Sequence, residues 1–181
     1  MVTRIRYTAA EFERFASLPE NVDRRLELVE GEIVEVVSSG YSSETAANLL
    51  AAIKLFAGGH KLGRVTGADG GYVVSGERYI PDVAFISFAR QPEPSHAAYN
   101  HQPPDLAVEV LSPSDDPAAL RIKIVNYLRA GTTVWVVDPI KQMVECYVPN
   151  ASPRTLTVDD TLDGGDVLPG FEIAVRDIFP E

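Results

Sequence analysis

The stretch PPDLAVEVLSPSDD, residues 103–116, constrains the chain more than any other. Leu106, Val108 and Val110 alternate with Ala107, Glu109 and Leu111, so the segment reads as a buried strand. The face that carries Glu109 also carries Ala107 and Leu111, and it is no simple solvent face. An ionised carboxylate is rarely buried unless it is paired or binds a metal. Asp116-Pro117 then marks a helix start, with Asp as cap and Pro at the first position, and Gly131 stops the helix.

Around this unit the patterning predicts one α/β domain. TAAEFERFAS, 8–17, has Thr8 and Glu11 at the capping-box spacing. RLELVEGEIVEV reads as two strands, 25–30 and 32–37, turned at Gly31. An amphipathic helix is expected over 42–58, with a Gly-Gly stop. GRVTGADGGYVV and RYIPDVAFISF follow as strands joined through Ser75-Gly76, and a polar loop then leads to the Glu109 strand. TVWVVD and MVECYV form a hairpin, and the tail reads as short strands and turns. No repeat or linker divides the 181 residues, a length suited to one sizeable core.

Composition narrows the function classes. A formal charge of −10, with 16 Lys and Arg scattered along the chain, makes strong non-specific DNA binding unexpected. It does not exclude a nucleic-acid enzyme, because carboxylates can be neutralised by metal. The single cysteine, Cys146, and the lack of an export signal or an apolar run of about 18 residues point to a cytoplasmic protein, with no membrane partner.

Asp82, in PDVAFI, shares a strand face with Ala84 and Ile86. Consecutive strands usually adjoin, so Asp82 and Glu109 are expected side by side, an oxygen-donor pair suited to Mg²⁺ or Mn²⁺. On the following helix Lys123 borders the apolar stripe of Leu120, Ile124, Tyr127 and Leu128, whereas Arg129 lies opposite it. Its ammonium could reach the carboxylates, position an attacking water and offset developing phosphate charge. Each residue also has an ordinary reading: Asp82 as a turn residue, Glu109 as a solvent residue on an edge strand, Lys123 as a boundary lysine. Three such residues in this order favour the metal site. His60, His96 and His101 show no ligand spacing, Trp135 reads as core, and GADGG as a turn.

The ordered set PDVAFI, PPDLAVEVLSPSDD, a lysine in the next helix, YLRAG and VWVVDP resembles the bacterial putative restriction endonuclease family of the PD-(D/E)XK nuclease superfamily. ELVEGE looks like that family's opening strand pair, so the resemblance spans most of the chain. It implies a restriction-endonuclease-like mixed β-sheet flanked by helices, as a single domain over 1–181. It implies a DNA-cleaving hydrolase with Asp82 and Glu109 as metal ligands and the carbonyl of Val110 as a further one. The superfamily's lysine position, two residues after the acid, is Leu111 here, and the family's helix-borne lysine maps to Lys123. Superfamily sites often include an early glutamate; Glu27 is the first choice, with Glu30 and Glu32 open as alternatives. A homodimer would suit a superfamily that often cuts two strands, although no segment marks an interface. The other readings are a catalytically inactive nuclease-fold interaction or regulatory module and a small-molecule metal hydrolase.

Overall fold

Pro81 separates two strands that the sequence runs together, and this break organises the molecule. A proline has no N–H to give a ladder. The computed structural model describes residues 6–113 and 115–180, so Ser114 and both extreme ends of the expected domain lie outside the described residues. Thr8 caps α1, Ala9–Ala16, in a complete capping box: it receives the Glu11 N–H, and Glu11 in turn receives the Thr8 N–H at 2.8 Å. β1, Leu26–Val29, and β2, Glu32–Glu35, form the expected hairpin, with Glu30 and Gly31 both at positive φ in its turn. α2, Gly40–Gly59, starts two residues earlier than expected because Ser39, not a later serine, supplies the cap.

β3, Gly63–Gly67, and β4, Gly71–Val74, flank the GADGG turn; β5, Glu77–Tyr79, and β6, Val83–Ser87, flank Ile80 to Asp82. The two members of each pair belong to different sheets. The polar loop after β6 contains a two-residue strand that its composition hides, β7, Tyr99–Asn100, paired parallel with β4. β8, Leu106–Val110, α3, Pro117–Arg129, and β9, Thr133–Asp138, form a parallel crossover unit. β10, Met143–Tyr147, and β11, Arg154–Thr157, continue that sheet, while β12, Thr161–Asp163, and β13, Glu172–Ala174, pair separately before a short 3₁₀ turn, Val175–Ile178.

The result is a six-stranded mixed sheet, β11-β10-β9-β8-β6-β3, and a five-stranded sheet, β2-β1-β5-β4-β7. α2 and the tail cover one face of the larger sheet, packing Leu49, Ile53 and Phe171 among Phe85, Val108 and Trp135. On the other face Ala84, Ala107, Val134 and Val136 meet Ile124 and Tyr127 of α3 and Tyr72, Val74 and Tyr79 of the smaller sheet. α1 packs Phe12 against Leu26 and Leu28. Glu109 has the parity of Ala107, so its side chain enters the layer between the larger sheet, the smaller sheet and α3. Among the described residues, no helix is long and apolar enough to cross a membrane.

Candidate active site

β8 is an interior strand between β6 and β9, so Glu109 cannot escape to solvent from an edge. It is only 8% exposed, as is Lys123, and Glu27 is 4% exposed. Lys123 Nζ donates to Glu109 Oε2 at 2.8 Å and to Glu27 Oε1 and Oε2 at 2.9 and 3.1 Å. The Tyr127 hydroxyl donates to the other Glu109 oxygen at 2.9 Å, and the Ile80 N–H donates to Glu27 Oε1 at 2.6 Å. Burying two carboxylates and an ammonium is tolerable only because each is paired this closely.

β6 pairs antiparallel with β8, and extending the register Val83↔Val108 by one residue sets Asp82 across from Glu109. The strand itself starts at Val83, so Asp82 stands just ahead of the ladder. It keeps contact through its carboxylate, which accepts the Val110 N–H at 2.7 Å. At the position of the superfamily lysine, Leu111 instead packs with the apolar side of α3, and Lys123 reaches Glu109 from that helix. Arg121 and Arg129 of the same helix are exposed.

The electrostatics follow from a surplus of acid. Burial pushes the Asp82 carboxyl up to about 6, opposed by the Val110 N–H and Lys123. Burial also raises Glu109, where Lys123 pulls back and Glu27 and Asp82 add to the rise. For Lys123 burial works against charge, but Glu109 and Glu27 outweigh it and hold the ammonium above its ordinary value. Lys123 is thus a locked cation, not a base awaiting a proton. The same burial, with Glu109 beside it, keeps the Tyr127 hydroxyl protonated well beyond the usual range.

Glu27, Asp82, Glu109, Val110 and Lys123 line the floor of one open cavity of about 650 Å³. Asp82 and Glu109, with main-chain oxygen from Val110, are hard oxygen donors suited to Mg²⁺ or Mn²⁺, and a cation would relieve the desolvation that raises both carboxyls. Among the described residues, no group of three or more His, Cys, Asp or Glu side chains forms a ready metal cage. Water and substrate oxygens would therefore complete the shell, as Mg²⁺ commonly requires.

Of the opening glutamates, Glu27 reaches Lys123, Glu30 sits exposed in the hairpin turn, and Glu32 stands at the cavity rim. His60, His96 and His101 are exposed and Trp135 is buried in the core. Sequence reasoning missed Tyr127 as a site residue, treating it as apolar stripe. Its position one helical turn after Lys123 was the available signal, since a buried tyrosine hydroxyl needs a polar partner. It also missed Ile80, whose role rests on a main-chain N–H that carries no sequence signature.

No curated protein matches this chain in sequence. Among solved structures, the crystal structure of a putative nuclease belonging to DUF820 from Anabaena variabilis ATCC 29413 superposes with a TM-score of 0.83 at 22% identity. The match covers 95% of this chain and 97% of that one, which establishes a shared fold. A protein-family model described as "Uma2: Putative restriction endonuclease" matches residues 10–176. That span takes in both sheets and every residue of the cavity floor, and the chain belongs to the Uma2 putative restriction endonuclease family.

Proposed function

We propose that the protein is a Mg²⁺- or Mn²⁺-dependent endonuclease that hydrolyses phosphodiester bonds, with DNA as its substrate. Asp82, Glu109 and the Val110 carbonyl would hold the cation. When bound, it supplies Lewis-acid polarisation of the phosphate and a more acidic water. The chain's own residues do the rest. Glu109 receives the Tyr127 hydroxyl and the Lys123 ammonium, which fixes its carboxylate plane. Glu27, anchored by the Ile80 N–H, holds Lys123 from the other side. The ammonium so placed orients the attacking water and offsets charge developing on the phosphate oxygens. Water oxygen bonds to phosphorus as the bond to the leaving oxygen breaks; water's proton goes to solvent, and the leaving oxygen takes one from solvent.

The observation that carries this reading is Lys123, buried and charged between Glu27 and Glu109 at the floor of an open cavity. A lysine in the core at that expense has a reason to be there if its charge is used. The acidic composition favours a second reading, an inactive nuclease-fold module. Two measurements separate them. Calorimetric titration of Mn²⁺ should show binding in the wild type and none in Glu109→Ala. Nicking of negatively supercoiled plasmid, whose underwinding opens short unpaired stretches, should in Mn²⁺ disappear in Lys123→Met, which keeps most of the side chain's volume, while that variant still binds Mn²⁺. Unchanged Mn²⁺ affinity in Glu109→Ala removes Glu109 from the metal site, and nicking that survives in Lys123→Met rejects the assigned chemistry.

A further inference from the structure

The cavity above the acidic floor says what kind of phosphodiester can reach it. Its walls are aliphatic: Val34 and Val36 on the β2 side, Leu111, Leu120 and Ile122 on the α3 side. Its rim carries the carboxylates of Glu30, Asp115 and Asp116 with the guanidinium of Arg6, while Glu35 is ion-paired with Arg24 at 2.7 Å, so the rim keeps an acidic balance. Arg6 itself is turned to the Glu30 carbonyl at 3.1 Å. A volume of about 650 Å³ falls in the range of sites for single small molecules. Glu27, Glu109 and Lys123 are each no more than 8% exposed, so a reacting phosphate has to descend to them.

A duplex meets this entrance badly. It is stiff, and it carries a charge every ~1.7 Å of axis, twice the density of one strand. Reaching the floor from a duplex would require extruding a nucleotide against base pairing and stacking, a step that is least unfavourable when the nucleotide is already unpaired. One unpaired nucleotide brings a single phosphodiester to the floor and lays its base against the aliphatic walls, with half the charge density passing the acidic rim. Resting on the nuclease reading above, we propose that the substrate is single-stranded DNA, a free strand or an unpaired flap, and not intact duplex.

The test compares the wild type with Mn²⁺ on three labelled substrates of one sequence: a single strand, a duplex, and a duplex with a single-stranded flap. Salt is held near ~0.1 M, where surface repulsion is partly screened. Single strand and flap should be cut at least about tenfold faster than duplex, with the flap cut in its unpaired arm. Val36→Trp, which narrows the slot without touching the floor, should lower single-strand cleavage by about tenfold while Mn²⁺ affinity in calorimetry stays within about twofold. Duplex cut as fast as single strand, or single-strand cleavage unchanged in Val36→Trp, overturns the substrate assignment and leaves the metal site standing. Cutting that persists in Lys123→Met, or no cutting of any substrate, overturns the nuclease reading and this assignment with it.

Discussion

The Glu27–Lys123–Glu109–Tyr127 chain makes a site whose parts hold one another, and single atoms of it can be removed cleanly. Tyr127→Phe deletes only the hydroxyl on Glu109 and leaves the ring in contact with Tyr79. Partners that orient a ligating group typically matter by 10–100-fold in metal affinity. The expected outcome is a Mn²⁺ affinity reduced about tenfold in calorimetry, together with a stability loss of about 1–3 kcal/mol from the unpaired Glu109 oxygen; unchanged affinity would show that Glu109 needs no such support to hold metal. Asp82 allows a second test, through pH. Its carboxyl titrates near 6 in the folded chain, against about 3.9 for an unfolded aspartate. Between those values the native state binds more protons than the unfolded state, so stability falls as pH rises and the full penalty is present above 6. That penalty is at most about 3 kcal/mol for the shift given. Asp82→Asn can still accept the Val110 N–H and carries no charge to desolvate. Without metal, urea unfolding should find Asp82→Asn more stable than wild type at pH 8 and about equal to it at pH 3. An asparagine variant less stable at pH 8 would mean that Asp82 is paired better than its burial implies.

At the level of elements, the parts of the fold legible in the sequence were those encoded locally. The capping box at Thr8 and Glu11, the Asp116-Pro117 start and the Glu30–Gly31 turn each declare themselves within four residues, and all form. Lys123 was also legible, because the helical stripe of Leu120, Ile124 and Tyr127 fixes which side faces the sheet. What stayed hidden depends on partners far along the chain. RYIPDVAFISF looks continuous, yet Tyr79 and Val83 lie in different sheets, a division made by long-range pairing and by the missing N–H of Pro81. β7 is two residues long and exists through its partner β4, so no periodicity announces it. The choice of Glu27 over Glu30 and Glu32 was undecidable for the same reason. All three are glutamates in one short hairpin, and only the approach of α3 and the Ile80 N–H separates them.

Over the whole molecule, charge sets how the site can be approached. With a formal charge of −10 and an acidic rim at the cavity, the protein has no net basic charge with which to grip a polyphosphate. On the proposed function, attraction for a nucleic acid would come from within the cavity, chiefly from a divalent cation held by Asp82 and Glu109. This arrangement predicts binding that is conditional on metal and only weakly dependent on monovalent salt. Each neutralised phosphate adds about 0.7 to the slope of log K against log salt for a single strand, so one or two contacts give a slope of magnitude below about 2. Lys123→Met, which should bind the strand without cutting it, permits an equilibrium measurement. Fluorescence anisotropy of a labelled single strand should rise with this variant in Mn²⁺ and stay flat in EDTA, with the shallow slope just given. Tight binding in EDTA with a steep slope would reveal a cationic face elsewhere on the molecule, and the cavity would then be where the strand is cut but not where it is held.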